Sequence, residues 1–122
     1  MQNRLITSLV VAFGIVASPL IASAAFAADK KGSFRSNKSY KVSGRVTVDK
    51  NGTIRLTGFR TTSGPDLYIY VGNGSPTTRV AKLKRTSGNQ TYKISASLAK
   101  SISTVHVHCK RYNSLFGTAR VK

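Results

Sequence analysis

The strongest constraint on this chain is a period of two. Tyr40, Val42, Gly44, Val46 and Val48 alternate with Lys41, Ser43, Arg45 and Thr47. Successive side chains of a strand point to opposite faces, so this run predicts a strand with one face on a core and the other in water. Asp49-Lys50-Asn51-Gly52 follows as a turn whose Asn and Gly tolerate positive φ. Alternation resumes over Thr53–Phe59, with Ile54 and Leu56 inward and Arg55 and Thr57 outward, and the two runs together predict a hairpin. In Leu67–Val71 the apolar Leu67, Ile69 and Val71 share one face and Tyr68 and Tyr70 the other. Arg79–Lys84, Gln90–Ile94, Thr104–Cys109 and Phe116–Val121 read as further strands, and Ser95–Ser103 has room for one helical turn. About seven short strands, with turn signals roughly every 8–12 residues, predict an all-β, single-domain antiparallel β-sandwich.

The N-terminus follows a different pattern. Arg4 precedes an apolar stretch, Leu5–Ile21, and the small residues Ala25 and Ala27 satisfy the A-x-A rule. The expectation is a secretory signal peptide over residues 1–27, cleaved after Ala27. A retained membrane anchor is the alternative, but Pro19 and the run of small residues favour cleavage, which leaves no transmembrane segment. Residues 28–38 are basic and polar without periodicity and are expected to be a flexible leader, with the β domain over 39–122. The expected product is secreted, extracellular or associated with the cell surface, and monomeric.

Charge and rare residues narrow the chemistry. Lys and Arg number 20 against three acids, a formal net charge of +17. The acids are Asp29, Asp49 and Asp66, in three unrelated segments, which argues against an oxygen cage for Ca or Mg and against a paired-carboxylate glycosidase. A single Cys, Cys109, excludes an internal disulfide framework and any multi-thiolate metal cluster. No G-x-S-x-G or comparable nucleophile–base arrangement occurs, so hydrolysis is unsupported and no enzyme is expected. The cations fall on outward strand positions (Lys41, Arg45, Arg55) and in turns (Lys50, Arg60, Lys84, Arg85), as a coating. Removing the signal loses only Arg4, so the charge travels with the exported domain. Export argues against genomic DNA or cellular RNA as partner and favours an anionic cell-wall polymer or membrane headgroups. Solubility in a polyanionic habitat, with no specific partner, is the plainer alternative.

Three blocks are more specific than strand patterning. The first is Phe59, then Gly64-Pro65-Asp66-Leu67-Tyr68 with Tyr70; the second is Gly88-Asn89-Gln90 with Tyr92; the third is Cys109, Tyr112, Phe116-Gly117 and Ala119. In this order and spacing they resemble the DM-thirteen domain, a small extracytoplasmic β family for which electron transfer is proposed. The resemblance covers roughly residues 32–122. It implies a β-sandwich-like domain whose single Cys does redox work, bare or with a prosthetic group such as haem, for an unidentified redox partner. Two departures stand out: His108 occupies a position where the family often has a bulky aromatic, and the surface is far more basic than the pattern demands.

Each candidate residue has a functional and a structural reading. Cys109 is a redox candidate with Lys110 and Arg111 flanking it, yet strand parity turns it toward the core with Val105 and Val107, where an unpaired Cys packs as a small hydrophobe. His106 and His108 share the opposite face, a two-ligand start on a metal site or, more simply, an exposed polar strand face. No C-x-x-C-H haem-attachment signature is present. Asp66 can anchor a ligand or cap a turn as a salt-bridged structural residue. Tyr68 and Tyr70 can form a platform for rings or, preferably, the inner layer of a sandwich strand.

Overall fold

The computed structural model describes residues 29–122; the expected signal peptide and its cut after Ala27 lie outside the described residues. Among the described residues eight strands and one short helix follow in order: β1 (Lys30–Ser36), β2 (Val42–Val48), β3 (Thr53–Thr61), β4 (Leu67–Gly72), β5 (Thr78–Lys82), β6 (Gln90–Lys93), α1 (Ala96–Ser101), β7 (Thr104–Cys109) and β8 (Ser114–Arg120). All the pairings are antiparallel, in one sheet of order β5-β4-β7-β8-β1-β2-β3-β6. The all-β antiparallel architecture expected from the period of two is therefore the one found. It is built from a single sheet that curls until its edge strands β5 and β6 come alongside each other, nearly closing a barrel.

Curling has identifiable causes. Three of the pairs carry a register shift, between Ser43 and Arg45 in β2, Ile69 and Tyr70 in β4, and Val107 and His108 in β7. A bulge bends its strand and steepens the local twist. The shift in β2 is centred on Gly44, at φ 117°, where an added Cβ would lie 2.7 Å from the Cα of Phe59. A side chain is excluded there on both conformational and steric grounds. The inward residues Val46, Val48, Ile54, Leu56, Ile69, Val71, Val105 and Val107 then form one core, closed by Phe59 and Phe34 in edge-to-face contact at 5.4 Å.

The expected flexible leader is a correction. Lys30–Ser36 is β1, and it joins the two halves of the sheet: Lys30–Ser33 pair with β2 and Phe34–Ser36 with β8. Periodicity is silent here because only Phe34 of β1 is buried. What holds the strand is backbone pairing on both sides, together with the Lys30 ammonium, which donates to the carbonyls of Ala99 (2.9 Å), Lys100 (2.8 Å) and Ile102 (2.7 Å) at the end of α1. That is the favourable pole of a helix for a cation. Ser95 caps the other end of α1, its hydroxyl accepting the N–H of Leu98 at 3.1 Å.

Candidate functional site

Strand β7 lies between β4 and β8 and is buried at all six positions. Parity sends Val105, Val107 and Cys109 into the core and Thr104, His106 and His108 to the outer face. Cys109 is 0% exposed; its register partners are Leu67 on β4 and Ser114 on β8. Its flanking cations do not follow it inside. Lys110 and Arg111 are exposed in the turn after the strand, where the Lys110 N–H donates to the carbonyl of Asp66 at 2.9 Å.

The histidine pair corrects the expectation of an exposed polar face. His106 is 0% exposed, because the Gly72–Thr77 turn folds over it, fixed by the Gly74 N–H donating to the Thr104 hydroxyl at 3.0 Å. The ring bridges two hydroxyls, Nδ1 to Thr118 and Nε2 to Thr104, each at 2.9 Å. Burial, reinforced by the neighbouring His108 and opposed in part by the backbone of Ser75, pushes its pKa down to about 4. His106 is therefore neutral around pH 7. His108 is also buried, which lowers its pKa against the opposing side chain of Asn113. Its Nδ1 is the one buried side-chain nitrogen or oxygen among the described residues without a hydrogen-bond partner.

The tyrosines also depart from expectation. Tyr68 and Tyr70 are half-buried on the outer face, not in an inner layer, since Leu67, Ile69 and Val71 take the core positions of β4. Tyr70 meets His108 edge-on at 5.0 Å, and Tyr68 carries Arg79 and Lys82 over its ring at 5.4 and 5.6 Å. Lys82 also pairs with the Asp66 carboxylate at 3.6 Å. The cations thus cover Tyr68 as a platform while Tyr70 supports His108.

Most of the remaining motif residues build the scaffold around this strand. Phe116 stacks on Tyr40 with centroids at 3.8 Å, and a Cβ at Gly64 would press on Phe116 and Leu67 at 3.1 Å. Gly117 is required because a Cβ there would come within 2.7 Å of Val42, and Ala119 is fully enclosed opposite Val105. The second block ties the barrel seam. The Asn89 side chain accepts the N–H of Gly58 at 2.9 Å, the Tyr92 hydroxyl donates to the side-chain Oε1 of Gln90 and accepts the N–H of Lys84 at 2.9 Å, and burial raises the Tyr92 pKa. Pro65 precedes Asp66 in the loop leading to β4, and Tyr112 is 61% exposed.

Two residues of this site were not singled out from the sequence, Thr104 and Thr118. Thr104 was legible in principle, two positions before His106 on the same parity; Thr118 depends on the β7–β8 register. A haem fits poorly at Cys109. The thiol faces a packed interior, and neither Cys109 nor either histidine lines any of four surface concavities of about 50 to 670 Å³ among the described residues. Among the described residues no three His, Cys or Asp side chains gather closely enough to hold a metal ion. The arrangement therefore offers an enclosed thiol, with two neutral imidazoles and a tyrosine on the far side of its own strand.

Comparison with known protein families matches residues 33–121 to the family described as Electron transfer DM13. No curated protein and no solved structure matches the chain.

Proposed function

The chain belongs to the DM13 electron-transfer domain family, and we propose that it is a redox accessory protein, not an enzyme, in which Cys109 is the redox residue. The observation that carries this reading is that the chain's only thiol occupies the Cys position of the family pattern and is fully enclosed on β7, a strand paired on both sides. A thiol at 0% exposure is closed to direct attack by another thiol, since exchange requires access to the sulfur. Exchange of a single electron with a partner docked outside needs no such contact. The step proposed is transfer of one electron from Cys109 to a one-electron acceptor group on the partner, with the thiol proton released to water and a thiyl radical left behind; a one-electron donor and a proton from water restore the thiol. Export, and residence at an anionic cell-envelope surface, belong to the same proposal. Their support is the pattern of residues 1–27 and the excess of cations.

Voltammetry of the purified chain tests the redox reading. A reversible wave is expected in the native protein and is lost in Cys109→Ala, while the circular dichroism spectrum stays unchanged. A native protein with no wave, or a wave that survives in the folded variant, overturns the assignment and leaves Cys109 as packing. The polyanion-binding reading has its own observation, the unpaired cations along β1, developed next.

A further inference from the structure

Three concavities run end to end along β1. The first, about 330 Å³, includes Lys31 and Arg45; the second, about 400 Å³, includes Arg35 and Arg120; the third, about 670 Å³, includes Lys38, Lys41 and Arg60. Ser33 is common to the first and second, and Ser36 to the second and third, so they form one trough. At about 3.3 Å per residue, the span from Lys31 to Lys38 is on the order of 20 Å. Small polar groups, Ser33, Ser36, Asn37 and Thr118 among them, line the parts between the cations. No acidic side chain lines any of the three. Among the described residues the two ion pairs, Arg55–Asp49 and Lys82–Asp66, lie elsewhere.

Seven cations lining one trough repel one another, and nothing in the described fold neutralises them. An extended anion would. Guanidinium forks match phosphate oxygens in pairs, and hydroxyl and amide donors between them suit the same groups. The trough is concave and runs the length of β1, which suits a linear polymer better than a flat bilayer. Tyr40, the one aromatic side chain in the trough, has its ring stacked on Phe116, so no row of free rings is available to stack bases.

We propose that the trough along β1 binds a linear, base-free phosphodiester polymer of the cell-envelope kind, held by the charge of Lys31, Arg35, Lys38, Lys41, Arg45, Arg60 and Arg120. This goes beyond the redox reading and is independent of Cys109. The test is fluorescence-monitored titration of the mature chain with inorganic polyphosphate of about a dozen units, at 50 and 200 mM salt, each phosphate contact contributing a salt slope of about −0.7. Four contacts predict about a 50-fold loss of affinity over that range. The double variant Arg35→Gln/Arg120→Gln is expected to weaken binding about 10- to 30-fold and to shallow the slope by about 1.4. Lys93→Gln/Lys100→Gln, exposed and outside the trough, is expected to change affinity less than about threefold, and Cys109→Ala not at all. Equal losses in the two double variants would replace the trough with diffuse surface charge and overturn the proposal. So would salt-insensitive binding, much tighter binding of oligo(dT) with the same number of phosphates, or a preference for anionic vesicles over polyphosphate. Loss of voltammetric activity with binding intact would sink the redox reading alone.

Discussion

His106 makes the stability of this domain depend on pH between about 4 and 6.5. In the folded chain its pKa is pushed to about 4, against 6.5 for a free imidazole. The unfolded chain therefore binds a proton that the folded chain refuses, and stability falls as pH drops below 6.5, levelling off only below the folded value. Integrating between the two values gives a loss of about 2.5 kcal/mol by pH 4.5 and roughly 3.4 kcal/mol in the limit. Burial depresses the His108 pKa too, which adds in the same direction. Carboxylates contribute little to this window, because the chain has three Asp and no Glu, and Asp49 is held below the usual range by the N–H of Thr53. Facing His106 are Thr104, Thr118, Tyr70, the Ser75 backbone and His108, with no acidic group to stabilise an imidazolium. Urea denaturation at pH 7.5 and 4.5 measures the difference. His106→Gln is expected to cost stability at pH 7.5 while removing most of the pH dependence. A native protein equally stable at both pH values would refute the reasoning, because His106 would then be protonated in the folded state without penalty.

Cys109→Ser is expected to destabilise by about 1–3 kcal/mol, since a hydroxyl enters a core position with no partner, and Cys109→Ala by about 1 kcal/mol; urea midpoints rank the two. The native thiol should react with an aromatic disulfide reagent only through unfolding, so its labelling rate should rise steeply with urea. Lys30→Met removes a charged donor from three carbonyls at the end of α1 and is expected to cost about 1–2 kcal/mol, with faster amide exchange in α1 than elsewhere. Gly32→Ala places a Cβ 1.7 Å from the carbonyl oxygen of Arg120, forcing β1 away from the end of β8. It should cost at least about 3 kcal/mol, visible as a lowered urea midpoint.

The strands that were legible in the sequence were those whose outward and inward residues differ in polarity. Val42–Val48 and Thr104–Cys109 both announce themselves this way, and Cys109 faces inward as parity requires. Even so, parity separates two faces without saying which of them is wet. His106 lies on the outer face of β7 and is still fully enclosed, because the Gly72–Thr77 turn crosses over it. Tyr68 and Tyr70 posed the same problem in reverse: aromatic character suggested an inner layer, while Leu67, Ile69 and Val71 had already filled it. The enclosure of His106 comes from tertiary cover, which no local window contains, whereas the parity of β4 already set both tyrosines opposite its apolar face.

The misreading of β1 has a different origin. Local rules identify a strand by the side chains it buries, and β1 buries only Phe34. Its pairing energy comes from backbone hydrogen bonds to two neighbours, and its outward positions carry Lys31, Ser33 and Arg35. A strand joining the halves of a sheet does not need repelling cations on its open face, and it would fold more readily without Lys31 and Arg35 there. Places where the local pattern argues against the fold are where residues answer to something other than folding. Here that conflict falls on the strand that forms the floor of the basic trough. A ligand bound along it would neutralise the very charges that make the segment read as a flexible leader. Polyphosphate should therefore raise the urea midpoint of the native chain and have a much smaller effect on Arg35→Gln/Arg120→Gln, because only the folded state arranges those arginines in one trough.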